Sequence, residues 1–401
     1  MSIDRARLRH AELVVILAVL SVIAPLAIDM YLPALPSIAR SFSVTDSEAQ
    51  FTLSTYFLGF AIGQAFYGPI SDRFGRKAPL YFGMTLYAAA SLGCAFAPSI
   101  NALAGLRFLQ SLGGCVGAVI ARAMVRDLFT GQDAIRVFSR VLLVFGLGPI
   151  LAPLIGGYIL LWFGWQAIFL LLTAIGALSL ILIFFRLPET RNPEHVRPLS
   201  LFSVVVGYWR LLGHRGFVGH ALTGGTMMAG TFAYIAGSPF VVIDLFGLPS
   251  EHFGWVFGVN ALGFIIASQI NVRVQRRYSP ERVLFGALLF QFVAVTVLVL
   301  DGWTRWGGLF GVLVPLFFWI STMGFVIPNT TALAMAPFAA NAGAASALLG
   351  TLQFVLAAGS SALVAAAADG SARPMTGFMA LFSIAALAIN RFVVKRVPAP
   401  K

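Results

Sequence analysis

Charge is scarce in this chain: 10% of its 401 residues are Asp, Glu, Lys or Arg, where a soluble domain carries roughly 25%. With 59% of residues hydrophobic, that shortage excludes a water-soluble globule. Cysteine is nearly missing too. Cys94 and Cys115 both sit inside apolar runs, make no metal spacing and say nothing about redox compartment. The five histidines, His10, His195, His214, His220 and His252, fall at the ends of runs or in loops and form no ligand pattern. A membrane hydrolase needs a nucleophile–base set or a metal cluster within its spans, and none is legible. The expectation is a protein that is not an enzyme and uses no cofactor or metal.

Long hydrophobic runs are abundant. Crossing ~30 Å of hydrocarbon takes about 20 apolar residues. Twelve runs qualify, at approximately 12–39, 48–70, 78–97, 101–122, 136–161, 165–186, 216–240, 252–272, 281–300, 305–327, 340–366 and 374–394. They are continuous and do not alternate with period two, so they read as helices and not as barrel strands. The first run follows Arg5, Arg7 and Arg9, as a signal peptide would. It runs past signal length, lacks a clear cleavage site and precedes eleven similar runs, so it is read as span 1. The expected fold is an all-α membrane protein of twelve transmembrane helices.

An even number of spans puts both ends on one side. Of the 27 Lys and Arg residues, Arg40, Arg305 and Arg373 fall in loops on the opposite side and Arg107 lies inside a span. The others sit at the ends or in loops on the side of the termini, which the positive-inside bias makes cytoplasmic. The same asymmetry accounts for the net charge of +12, so lipid and not nucleic acid is the expected partner. The longest polar stretch, "RLPETRNPEHVRPLSL" (186–201), reads as part of a cytoplasmic linker (187–215) between six-span halves at 1–186 and 216–401. Faint landmarks recur 203–206 residues apart: Pro33 answers to Pro239, and "SDRFGRK" to "VQRRYSPER". Such duplication suggests halves that rock about a midplane site.

Four motifs narrow the reading. "GPISDRFGRK" follows span 2. A positive-inside loop explains Arg73, Arg76 and Lys77, but not Gly68 and Asp72 at these spacings. Glycine allows close helix approach, and an aspartate at a helix end can meet the positive end of another helix. With Gly75, these residues resemble the signature loop G-x-x-x-D-R-x-G-R-K of the major facilitator superfamily. "RFLQSLGGCVGAVIARAMVRDLF" (107–129) resembles that superfamily's R-x-x-Q-G motif at Arg107 and Gln110, with Ser111 where glycine is usual. Its tail "ARAMVRD" resembles the bicyclomycin-resistance (Bcr/CflA) drug:proton antiporters. "GLGPILAPLIGGYI" (146–159) resembles the antiporter motif of drug exporters, keeping Pro153, Gly156 and Gly157 but with Ala152 in place of a glycine. Family members use this span as a hinge, which suits residues that break or bend helices; close packing of small residues is the plainer account. "IDMYLPALP" resembles the first span of the same subfamily. The resemblance covers spans 1 to 5 by motif and the later spans by layout, where polar residues (Asn260, Gln269, Gln291, Gln353) are scattered.

Asp29 poses the chemical question. A lone carboxylate in hydrocarbon costs ~2.5–3.5 kcal/mol on insertion scales. It is either solvated near the outer interface or a protonatable site facing inward. At 1.5 Å per residue it lies about 15 Å below the outer end of its span, and Arg107 about 9 Å below the end of span 4. The arginine side chain is long enough to bridge that difference, so the two are expected to pair and couple protons. Burial and a nearby arginine act oppositely on a carboxylate's proton affinity, so a change of access changes proton binding. Phe57, Phe60 and Gln64 share a face of span 2 and are candidates to line a substrate cavity, with Tyr31, Tyr56, Gln110, Tyr234, Asn260 and Gln353. Packing between helices or facing lipid is the competing reading for the aromatics. The resemblance implies a gate at Gly68, Asp72, Arg73, Gly75 and Arg76, with Asp72 meeting the helix that opens near "FAANAGAAS", where Asn341 would cap, and a hinge at Pro153, Gly156 and Gly157. It further implies a monomeric proton-coupled exporter of small apolar or amphipathic drugs in the bacterial inner membrane. A proton-coupled permease for a metabolite is the alternative on the same fold, and a membrane enzyme or non-transporting sensor the alternative of another class.

Overall fold

The structure, a computed structural model, describes residues 2–129, 131–190 and 201–394. Among them the regular structure is helical throughout: α1 (Ser2–Asp29), α2 (Leu35–Phe42), α3 (Asp46–Phe74), α4 (Lys77–Ala95), α5 (Ile100–Leu128), α6 (Gly131–Phe163), α7 (Trp165–Arg186), α8 (Leu201–Leu212), α9 (Arg215–Pro239), α10 (Ser250–Val274), α11 (Pro280–Thr304), α12 (Gly308–Met335), α13 (Ala342–Ala366) and α14 (Arg373–Phe392). All twelve apolar runs fall on helices, the first divided between α1 and α2. Ten are long and apolar enough by themselves to cross a membrane. The other two are α3 and α4; α3 carries Gln50, Thr52, Ser54 and Gln64 on its buried face, which dilutes its hydropathy.

Local chemistry fixes the helix ends. Thr45 and Glu48 form a capping box at the start of α3: the Thr45 amide donates to Glu48 Oε2 at 2.9 Å and the Glu48 amide to Thr45 Oγ1 at 3.4 Å. Ser99 caps α5 by accepting from the Ala102 amide at 3.2 Å. Span 1 breaks after Asp29. The Tyr31 amide turns to the Ile28 carbonyl at 3.2 Å, leaving the Ala27 carbonyl without its helical donor, and Pro33 has no N–H for the Asp29 carbonyl. A 3-10 turn (Leu32–Ala34) then leads into α2. A π-helical turn (Phe240–Leu245) follows α9 at the corresponding place in the second half.

The two six-helix halves meet along α3 against α13 and α6 against α10. At the end of the bundle away from the termini, Arg40 Nη1 contacts Asp244 Oδ1 at 3.0 Å and Ser54 Oγ donates to Ser361 Oγ at 3.0 Å. Deeper in, Phe57 meets Phe232 with ring centroids 4.4 Å apart and Phe60 meets Phe354 at 4.1 Å. Toward the end that carries the termini, Gly68 of α3 and Gly343 of α13 have open space beside them. The segment expected to be a linker contains α8, whose Tyr208 hydroxyl donates to the Ala65 carbonyl of α3 at 3.2 Å. Residues 191–200 of that segment lie outside the described residues.

Candidate transport pathway

The break in span 1 organises the site. Arg107 of α5 is completely buried and takes the Ala27 carbonyl that the break leaves free, Nη1 donating at 3.0 Å. It also donates to Gln110 Oε1 at 2.6 Å, and Gln110 donates onward to Ser91 Oγ at 2.8 Å. Its guanidinium lies over the rings of Tyr56 and Tyr31, 4.2 and 4.4 Å from their centroids. These faces offset its charge by cation–π attraction where Nε and Nη2 find no hydrogen bond. Tyr31 is fixed in turn by Thr52, oxygen to oxygen 2.7 Å.

Asp29 does not join this cluster. The expected ion pair with Arg107 is not formed. Asp29 is 5% exposed and has no hydrogen bond or ion pair among the described residues. It stands instead at the seam, near enough for its charge to act on Tyr56 of the first half and Tyr234 of the second. The reason is azimuthal: both residues lie at reachable depths, but Arg107 turns into the first half, whereas Asp29 ends its helix facing the junction. Tyr234 accepts from Asn260 Nδ2 at 3.1 Å and stacks on Phe257 at 5.5 Å.

The expected cavity set divides accordingly. Tyr31, Tyr56 and Gln110 belong to the sealed interior of the first half. Phe57, Phe60 and Gln64 do share a face of α3, but it is packed into the seam, with Gln64 against Gly350 of α13. Tyr234 and Asn260 sit together in the second half, and half-buried Gln353 has no hydrogen bond among the described residues.

The loop between α3 and α4 is a charged knot. Arg76, 5% exposed, donates to Asp72 Oδ1 at 2.7 Å, Asp127 Oδ2 at 2.8 Å and Ser71 Oγ at 2.9 Å. Arg73 lies over the Phe74 ring. Glu189, just past α7, accepts from the Arg76 and Lys77 amides at 2.9 and 3.1 Å and so caps the positive end of α4. Gly75 has φ +90°, which favours glycine, and a Cβ there would displace the Glu189 carboxylate from the α4 cap. Asp72 is engaged with Arg76 and does not reach the start of α13; the side chain of Asn341 lies outside the described residues.

In α6, Pro153, Gly156 and Gly157 are buried. A Cβ on Gly156 would strike the Met30 carbonyl, at the break in span 1, and one on Gly157 would lie 2.9 Å from the Ser250 carbonyl at the start of α10. The motif therefore sits where the break and the opposite half converge.

A family model described as the Major Facilitator Superfamily matches residues 17–362. The chain belongs to the Major Facilitator Superfamily. It is 38% identical over 343 residues to an uncharacterized MFS-type transporter, YdgK, of Bacillus subtilis, covering 85% of each chain. It is 32% identical to the bicyclomycin resistance protein homolog of Haemophilus influenzae, covering 95% of each. Its fold superposes on a D-xylose-proton symporter with a TM-score of 0.74 at 15% identity, over 95% of this chain and 97% of that one.

Reading by charge missed part of this transporter's polar framework. Asp127 and Glu189 complete the charged knot; both lie in the quoted stretches "ARAMVRD" and "RLPETRNPEHVRPLSL", but neither was singled out as a site residue. In the second half, Asn329 Nδ2 donates to Asn271 Oδ1 at 3.0 Å and Gln275 Nε2 to Asn329 Oδ1 at 2.7 Å, tying α10 to α12. The amide spacing Asn271–Gln275, one helical turn, was the available signal.

Proposed function

We propose that this superfamily member is a proton-coupled exporter of small apolar or amphipathic drugs. It lies in the bacterial cytoplasmic membrane, with both termini cytoplasmic, and works by alternating access as a monomer. The halves at 1–186 and 216–401, joined through 187–215, rock against one another. Asp29 carries the reading: a buried carboxyl without a partner, at a broken helix, facing the seam that opens and closes. When the seam opens outward, water reaches the Asp29 carboxyl, which takes a proton as substrate leaves. When it opens inward, the proton passes to the cytoplasm and the ionised site favours substrate again. Arg107 acts on this cycle through the backbone, by holding the Ala27 carbonyl two residues before Asp29. Gly68, Asp72, Arg73, Gly75 and Arg76 form the cytoplasmic gate, and Pro153, Gly156 and Gly157 the flexible contact between break and opposite half. Similarity to a bicyclomycin resistance protein homolog supports export over uptake. The test is counterflow of candidate drugs in proteoliposomes with an imposed pH gradient. Drug movement opposite to the proton gradient, collapsing with an uncoupler, is expected; uptake along it would assign a metabolite permease instead.

A further inference from the structure

A cavity of ≈ 200 Å³ lies where α3 of the first half meets the second half, at the contact of Arg40 with Asp244. Helix α3 lends it Asp46 and Gln50, the π-helical turn lends Asp244, and the loop from α13 to α14 lends Asp369. Apolar side chains such as Val364 and Met375 complete the wall, and no lysine or arginine lines it. Asp29 takes no part in this lining.

Three carboxylates thus share one cavity, and one of them is in an ion pair. Asp244 Oδ1 meets Arg40 at 3.0 Å. Asp46 makes no hydrogen bond or ion pair among the described residues. Burial and the charge of Asp244 raise its proton affinity, against the charge of Arg40. Asp369 accepts from the Ser371 hydroxyl at 2.6 Å and the Ser371 amide at 2.9 Å. These bonds hold its carboxyl below the ordinary carboxylate range. Arg373 acts on Asp369 as well, while its guanidinium lies over the Trp303 ring. A second observation points to a ligand. Gln50, 3% exposed, lines the same cavity, and its Oε1 accepts no hydrogen bond. A buried acceptor without a donor is costly, and an entering N–H group satisfies it.

Among the described residues no three acids are grouped closely enough to hold a metal ion. The negative charge is therefore spread round the wall and not focused on one point. We infer that this cavity binds an organic cation whose charge is carried on N–H groups, an ammonium or amidinium on a small apolar body. Asp46 and Asp369 attract the charge, Gln50 Oε1 accepts an N–H one helical turn beyond Asp46, and Val364 and Met375 pack the body. The inference stands on this cavity alone and goes beyond the exporter reading. Arg40 and Arg373 set against the three carboxylates leave one net negative charge. A monocation about 6 Å from it, at an effective dielectric between about 20 and 80, is favoured over a neutral isostere roughly three- to a hundredfold.

The experiment follows labelling of Ala368→Cys, a lining position, by uncharged N-ethylmaleimide in the purified full-length protein; both natural cysteines are buried. Benzamidine, a cation, and benzamide, its neutral counterpart of nearly the same shape, are titrated as protectants. Benzamidine is expected to half-protect at a concentration about tenfold below benzamide. Asp46→Asn should narrow that ratio, and Asp46→Asn/Asp369→Asn should close it. Gln50→Leu should weaken protection by benzamidine several-fold. Thermal unfolding checks that each variant folds, and Asp46→Asn alone serves if loss of the Asp369 turn unfolds the double variant. No protection by benzamidine, equal protection by the two compounds in wild type, an unchanged ratio in Asp46→Asn, or stronger protection by calcium than by benzamidine overturns the inference. The readout is binding at this cavity, so such a failure leaves the exporter reading standing, and drug counterflow tests that reading separately.

Discussion

Arg40 and Asp244 are 204 residues apart, the spacing at which the landmarks of the two halves recur. They meet at the end of the bundle away from the termini, which the proposed orientation makes the outer end. They can touch only while that end is closed, so their 3.0 Å contact is an outer latch. The side chains are 63% and 36% exposed, and solvent screening limits such a pair to about 0.2–1 kcal/mol. Breaking it shifts the closed population by roughly 1.4- to 5-fold. Arg40→Asp should reach the upper end, because Asp46 also feels both charges and three acids would then crowd the seam. The reporter is Gln50→Cys, whose side chain lines a cavity of ≈ 200 Å³ beneath the latch; both natural cysteines are buried. Labelling by a membrane-impermeant thiol reagent from outside should quicken two- to fivefold in Arg40→Asp and recover in Arg40→Asp/Asp244→Arg. High salt should quicken it in wild type. If the single variant labels at the wild-type rate, or the swap labels no slower than the single, the contact does not hold the seam shut.

Asp29→Asn is expected to abolish proton-driven export while leaving the protein inserted, since asparagine keeps the shape of the protonated acid; full drug resistance in cells carrying it would end the proton-carrier role. Arg107→Lys should rescue Arg107→Ala poorly, because lysine cannot both reach the Ala27 carbonyl as a planar fork and stack on two tyrosines; equal efflux by the lysine and wild-type proteins would show that charge alone suffices. Gly156→Ala should lower thermal stability by about 1–3 kcal/mol through overpacking against Met30, and an unchanged unfolding temperature would mean that α6 can back away freely. Asp72→Asn should slow transport several-fold with drug binding intact, and simultaneous loss of both would remove it from the gate.

Much of the fold is legible because hydrocarbon imposes a coarse rule. Continuous apolar length marks the helices, and Pro33 and Pro36 mark the break after Asp29. Depth along a helix is equally legible at 1.5 Å per residue, but facing is not. That is why Asp29 and Arg107, expected to pair because their depths matched, do not. The partners that Arg107 does take, a carbonyl and two aromatic faces, carry no charge to betray them. α8 escapes notice for another reason: its 12 residues are too few to span and follow a polar stretch. The face shared by Phe57, Phe60 and Gln64 was readable, but whether it lines a cavity or packs a seam depends on the opposite half.

The two halves differ at their corresponding corners in a way that bears on which one can switch. The corner after α3, with Arg73, Arg76 and Lys77, answers to the corner after α10, with Arg273, Arg276 and Arg277. In the first half the corner is tied by a buried arginine shared between Asp72 and Asp127. In the second it is tied by neutral amides, Asn271, Gln275 and Asn329. Removing one partner of a buried charged group leaves the other uncompensated and is costly, whereas an amide triad presents no charge for another helix to recruit. Only the first corner holds an acid, Asp72, that is 59% exposed while bound to Arg76. It can therefore exchange that partner for a helix terminus at small net cost, because Asp127 continues to neutralise Arg76. At the second corner the amide tie involves no acid, and Glu281, in the first turn of α11, forms no ion pair among the described residues. On the proposed exporter reading, the exchangeable acid Asp72 thus lies in the same half as Asp29 of span 1.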